Sequence, residues 1–254
     1  MAEKNAKRGD DSRQRWIAQI AALENPPTPA RSRKAPLTVE RIVHTALELI
    51  EAEGFEAVTM RRVAAALQTG AASLYAHVRN KAALDDLLIG ELCSHVMLPE
   101  PDPKQWQAQI MNVCGQLRDQ FLRYPGIATA AMAATPTSLE TLRINEGLLT
   151  LLLAGGAPPQ FAAWAIDAAY LYVAAYSLEA SLRSRPGNGE EGGDHDNEHE
   201  HDNDNDEIVE RLRMLPTSLF PNTVAHAREL STGDGHERFD FTLGQLFRLP
   251  SSAE

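Results

Sequence analysis

The sequence predicts an all-α protein in which a small three-helix head precedes a larger helical body. Three observations lead there. Apolar residues recur at helical spacing through most of the chain from Thr38 onward, strand-like alternation is scarce, and prolines 99, 101, 103, 125, 136, 158, 159 and 221 cut the helical pattern into segments. A chain of 254 residues, 43% of them apolar, has material for a small domain joined to a larger one.

Residues 1–36 are polar and proline-bearing and are expected to be disordered or partly helical, with a short amphipathic piece around Trp16, Ile17, Ile20 and Leu23. Arg31, Arg33 and Lys34 form either a basic arm able to reach a minor groove or a solvated linker. The opening thirty residues lack a continuous apolar core, so no secretory signal is expected and a cytoplasmic setting follows. Cys93 and Cys114 lie in apolar stretches without metal or disulfide spacing, which agrees with a reducing compartment.

The head is expected at 37–83. Thr38 is a natural N-cap for a helix carrying Val39, Ile42, Val43, Ala46, Leu47 and Ile50, and Gly54 can take the left-handed conformation that ends it. Thr59 caps a second, short helix through Leu67 with Val63 and Ala64 inward, and a third runs from about Ala71 to His77. A gap of about three residues between two such short helices is the spacing of a helix-turn-helix. Leu74 and Val78, four apart, should face the supporting helix, turning Ala71, Ala72, Ser73, Tyr75 and Ala76 outward toward a major groove. Tyr75, Arg61, Arg62 and Lys81 add donors long enough to reach phosphates.

The stretch TVERIVHTALELIEAEGFEAVTMRRVAAALQTGAASLYAHVRNKAALDDLL resembles the DNA-binding domain of the tetracycline-repressor (TetR) family. Its most distinctive parts are Leu74-Tyr75-Ala76-His77-Val78-Arg79-Asn80-Lys81 and, before it, Thr59-Met60-Arg61-Arg62-Val63-Ala64. The resemblance implies that Tyr75 and Lys81 hold phosphates with help from Thr59. It also implies that Arg61, Ala71 and Ser73 face base edges or the adjoining backbone, and that His77 packs between helices more than it touches DNA. Arg62 reads equally well as a solvated surface charge. Gln68-Thr69-Gly70 departs from the family's leucine-glycine-valine order in the turn, and Ala71-Ala72 replaces bulkier reading residues. Few direct base contacts are therefore expected, with thymine methyls and DNA shape contributing.

The net charge of −11 is unevenly spread: residues 1–90 carry 13 Lys/Arg against 11 Asp/Glu, and 91–254 carry 11 against 24. Only the N-terminal part suits phosphates.

The body, 84–254, is expected to contain helices at about 81–96, 104–124, 137–153, 158–182 and 239–249. The run from Phe161 to Leu178 approaches the ~20 apolar residues of a membrane span, but its alanines and Asp167 fit a buried helix of a soluble protein better. The segment PTSLFPNTVAHARELSTGDGHERFDFTLGQLFRL resembles the end of the subgroup whose C-terminal domain is like that of the tetracycline repressor. That likeness implies a homodimer pairing 158–182 and 239–249 with their symmetry mates, a palindromic duplex-DNA operator, and an unknown small-molecule ligand inside the body. Candidate lining residues are Trp106, Phe121, Met132, Leu148, Trp164, Tyr170 and Tyr172, with His95 and Asp167 as polar handles. Gly187 to Glu207 is acidic, histidine-bearing and free of apolar residues, and is expected to be a disordered, solvated loop. An alternative reading makes His195, His199 and His201 a metal-responsive element; a regulator without ligand control is another. No nucleophile elbow, phosphate loop or metal-binding helix motif marks an enzyme, and no cofactor or metal is expected.

Overall fold

The computed structural model describes residues 36–133, 138–183, 198–233 and 235–249, and for 198–205 the backbone alone. The expectations for 1–35, the basic arm included, lie outside the described residues. Every regular element among the described residues is helical.

The head contains α1 (Val39–Glu53), a 3-10 turn (Phe55–Ala57), α2 (Met60–Ala66) and α3 (Ala71–Tyr75). Each start is fixed locally. The Thr38 hydroxyl accepts from the Arg41 amide and the Thr59 hydroxyl from the Arg62 amide, satisfying donors that the first helical turn leaves open. Gly54, at φ +83°, ends α1 in a backbone region that a side chain would disfavour. Ile42, Ala46, Ile50, Val63 and Leu74 are fully buried, so the three helices share one core.

α4 (Lys81–Ser94), capped by the Asn80 side chain, leaves the head and enters the body. The body consists of α5 (Trp106–Arg123), α6 (Ala128–Ala133), α7 (Leu139–Ala154), α8 (Pro159–Arg183) and α12 (Gly235–Leu246). α8 packs against α5, α6 and α7, and α12 lies on α5 and α8. α4 is gripped from the body side, because Arg143 of α7 donates to the Cys93 carbonyl at 2.7 Å and the Val96 carbonyl at 3.0 Å, acceptors at and just past the helix end. Gly155, just past α7, lies beneath the Trp106 ring; a Cβ there would fall 2.4 Å from it.

The long helices agree with the sequence expectations to within a few residues. α6 was not expected, since its run ATAAMA has no polar periodicity, and it is held by burial of Ala128, Ala130 and Ala131. The acidic run requires a correction. α9 (Glu198–Arg213) begins inside it, so its last ten residues are helical and not a disordered loop; 187–197 lie outside the described residues. Glu198 and Glu200 fall in the first turn of this helix, where the macrodipole favours negative charge, and Val209, in its second half, is buried. α10 (Pro221–Ala225) and α11 (Ala227–Ser231) follow and pack on α9.

Candidate nucleic-acid interface and ligand site

The turn between α2 and α3 determines how the outer helix is presented. The Thr69 amide donates to the Ala64 carbonyl at 2.9 Å and the Gln68 amide to the Ala65 carbonyl at 3.0 Å, the paired bonds of a Schellman cap. Such a cap needs one left-handed residue. It is Gln68, at φ 52°, a position where glycine avoids a steric cost of about 1–2 kcal/mol. The turn keeps the cap geometry without a glycine at its left-handed position, Gly70 lying two positions later, and places it on a strained residue.

α3 then buries Leu74, with Val78 also buried just beyond its end, and exposes Ala71, Ala72, Ser73 and Tyr75 on one side, as the four-residue spacing required. The helix is shorter than expected, ending at Tyr75, and Tyr75 is 51% exposed. His77 departs from the packing role implied by resemblance: its side chain is exposed while its amide donates to the Leu74 carbonyl. The Thr59 hydroxyl uses one lone pair to accept the cap bond at 3.2 Å, which does not engage its proton.

The cations divide into held and available ones. Arg62 reaches both Glu53 carboxylate oxygens, at 2.5 and 2.6 Å, and is thereby turned back onto α1. Arg61 is exposed and has no ion pair among the described residues. Lys81 is half-buried: its ammonium pairs with Asp85 one turn along α4 and lies 3.9 Å from the centre of the Phe55 ring. Burial raises the Asp85 carboxyl above its usual range, opposed by Lys81. Sequence reading did not link Lys81 to Asp85 or to Phe55. The i, i+4 spacing of Lys81 and Asp85 was a visible signal, whereas Phe55 reaches Lys81 only through the fold. The Phe55 amide also donates to the Pro125 carbonyl at 2.9 Å, and Arg123 meets Glu51 at 3.5 Å, so the element beneath Lys81 is tied to the end of α5 in the body.

The expected ligand residues do not form one cluster. Phe121, Trp106 and Leu148 are buried, and Tyr170 meets Phe121 edge-on with ring centres 6.4 Å apart. Burial, reinforced by Cys93 and Asp86, pushes the Tyr170 hydroxyl well above its ordinary range. Nearby, Thr141, itself buried, bonds Ser138 at 2.7 Å and points at the Cys93 sulfur at 3.8 Å. His95, Met132, Trp164 and Asp167 are exposed instead, and the expectation that they line an interior pocket is corrected. His95 sits past the end of α4 facing Glu91, and Trp164, at 70% exposure, stands on the outer side of α8. Periodicity marked that helix as apolar all round and did not say which apolar side faces the core. Two open grooves border α8. One of about 640 Å³, against α12, is lined by Tyr172, Tyr176, Glu179, Arg238 and Phe241; the other, about 500 Å³, lies against α7. Of the expected lining residues, these grooves hold Tyr172 alone. His195 lies outside the described residues, as do the side chains of His199 and His201.

Known proteins share this arrangement. The family model for the bacterial regulatory proteins of the tetR family matches residues 42–85, and that for the tetracyclin repressor-like C-terminal domain matches 98–247, more than half of the chain. The chain belongs to the TetR family. It is therefore a DNA-binding transcription regulator and not an enzyme. Apo ActR from Streptomyces coelicolor is 35% identical, with a TM-score of 0.72, over 85% of this chain and 95% of that one. ActR in complex with actinorhodin is 36% identical over 84% and 94%, again at 0.72. The HTH-type transcriptional repressor DrrR1 of Streptomyces coeruleorubidus is 31% identical over 49% of this chain and 46% of its own length. The chain thus spans about half the length of the curated relatives it matches.

Proposed function

We propose that this TetR-family protein is a cytoplasmic homodimeric repressor that binds a palindromic operator and leaves it when a small molecule occupies the body. The observation that carries the DNA part is the burial of Leu74 and Val78 beneath the exposed row Ala71, Ala72, Ser73 and Tyr75, flanked by Thr59, Arg61, His77 and Lys81. With mostly small side chains on that row, specificity rests on Arg61, on methyl contacts and on DNA shape. Lys81 grips a phosphate by exchanging Asp85 for it.

Dimerisation is supported by the outer side of α8 and α12, where Trp164, Leu171 and, lining the larger groove, Phe241 are exposed, apolar surface that a monomer would leave in water. Two heads then meet half-sites about one turn, ~34–36 Å, apart. A ligand is supported by the polar groups set among apolar ones around Phe121 and Tyr170, with Trp106 and Leu148 as further walls, and by the relative ActR having been solved with actinorhodin. The Phe55–Pro125 bond offers a route by which a change in the body reaches the Lys81 grip.

Selection of binding sites from random duplex DNA by the purified protein tests the reading. A palindromic motif with half-sites one turn apart is the expected result; the absence of enrichment, or a single asymmetric half-site, would overturn it.

A further inference from the structure

Arg61, Arg62 and Lys81 flank the outward row of α3, and the fold treats them differently. Arg61 is exposed, with no ion pair among the described residues. Lys81 gives Asp85 its ammonium, a compact charge that turns readily to a new acceptor. Arg62 is held by two bonds: its Nη2 lies 2.5 and 2.6 Å from the two carboxylate oxygens of Glu53, the last residue of α1. Charge-assisted bonds of this kind are stronger than neutral ones. Arg61 and Arg62 leave the same first turn of α2, beside the Thr59 cap, but the charge of Arg62 is carried back to α1.

Helix stability does not account for Glu53. A carboxylate in the last turn of a helix faces the negative end of the macrodipole, and α1 ends with both Glu51 and Glu53 and without a basic residue. Glu51 is turned to Arg123 of the body, and Glu53 to Arg62. Nor does the second pair hold the head together: both side chains are 45% exposed, and exposed pairs add little to stability. What it changes is the charge offered to DNA. A phosphate contact strengthens binding to every sequence alike, whereas base contacts distinguish one site from another. The row Ala71, Ala72, Ser73 and Tyr75 offers few long side chains for bases, so a further free cation at its margin raises sequence-independent affinity and not discrimination.

We propose that Glu53 is a specificity-determining residue of the DNA interface. By keeping Arg62 against α1 it withholds one cation from the phosphate backbone, so affinity for non-operator DNA stays low and the contacts of Arg61 and α3 decide where the protein binds. In the operator complex those contacts fix the head in one register, in which Arg62 stays with Glu53; on other sequences the head is free to shift, and a released Arg62 finds a phosphate. The inference rests on the reading of this face as the DNA interface.

Equilibrium titrations of the full chain against a random-sequence duplex and against the selected operator, over a salt series, test it. Glu53→Ala is expected to tighten binding to the random duplex about threefold and to steepen its salt slope by ~0.9, while operator affinity changes by less than about 1.5-fold, so that the ratio of the two falls about twofold. Adding Arg62→Ala to Glu53→Ala is expected to return both affinities and both slopes to the wild-type values. Glu48→Gln removes a carboxylate from the same helix, one that faces His44, and is expected to leave the ratio in place. Equal gains on both duplexes, no gain on either, a gain that survives the loss of Arg62, or the same fall in ratio for Glu48→Gln would each overturn the proposal and leave the DNA interface standing. A wild-type protein that binds neither duplex would overturn both.

Discussion

In the head, the turn that aims α3 is closed by hydrogen bonds between residues three to five positions apart; in the body, Arg143 closes the end of α4 from some fifty positions away and Phe121 meets Tyr170 across two helices. The same residue types consequently carry different amounts of information in the two regions. A leucine or a threonine in the head has its role set by its neighbours in sequence. A tryptophan in the body does not: Trp106, at the start of an amphipathic helix, is 8% exposed and Trp164, inside an apolar one, is 70% exposed. Local rules suffice where contacts are local, and fail where a helix is apolar on every side and only assembly selects the inner one.

The tryptophans give the largest test of that contrast. Trp106→Ala, which removes the ring lying over Gly155, is expected to cost about 3–5 kcal/mol in urea unfolding of the body. Trp164→Ala is expected to shift subunit stability by within about 0.5 kcal/mol while weakening dimerisation in sedimentation. Similar unfolding losses for both would erase the distinction between inner and outer faces.

The two thiols sharpen it through pH. Burial raises Cys93 from 9.0 to about 11, with Thr141 and Arg143 opposing, and raises Cys114 to about 12. Above the unfolded value the unfolded chain releases protons that the folded body retains, so this contribution is complete below pH 9 and is lost as pH rises toward 11 and beyond. Urea midpoints measured upward from about pH 8 should be flat and then fall, and a thiol reagent at about pH 8 should label neither cysteine before unfolding.

In the head the expected effects are smaller in energy and are read on DNA. Lys81→Ala should weaken binding to all duplexes and lower the salt slope by ~0.9, the share of a single neutralised phosphate. Asp85→Asn releases the ammonium from a half-buried ion pair and should tighten binding by about two- to fivefold. A loss of affinity instead would mean that Asp85 orients Lys81 and does not restrain it.

A further effect in the head concerns the turn. Gln68→Gly is expected to add about 1 kcal/mol to stability in chemical denaturation, because glycine takes the left-handed conformation without steric cost. A neutral or destabilising outcome would show that the Gln68 side chain compensates its own backbone.

Much of the head was legible before any coordinates: the caps at Thr38 and Thr59, the stop at Gly54, and the inward pair Leu74 and Val78. Capping and four-residue spacing are properties of short stretches of chain, which is why they could be read. The position of the left-handed residue in the turn was not read, because the glycine nearest it is Gly70 and the bonding pattern selects Gln68. Nor was the helical second half of the acidic run, where composition pointed to disorder and the anchoring by Val209 depends on α10 and α11. The sequence alone determined the all-α class, the capped starts of α1 and α2, and the outward row of α3. Tertiary structure decided that Lys81 is held by Asp85 and Phe55, that Trp164 and Asp167 face outward, and that α9, α10 and α11 pack on one another. The physical reason is the same in each case: spacing along one helix fixes which residues share a face, but what that face meets is set by distant parts of the chain.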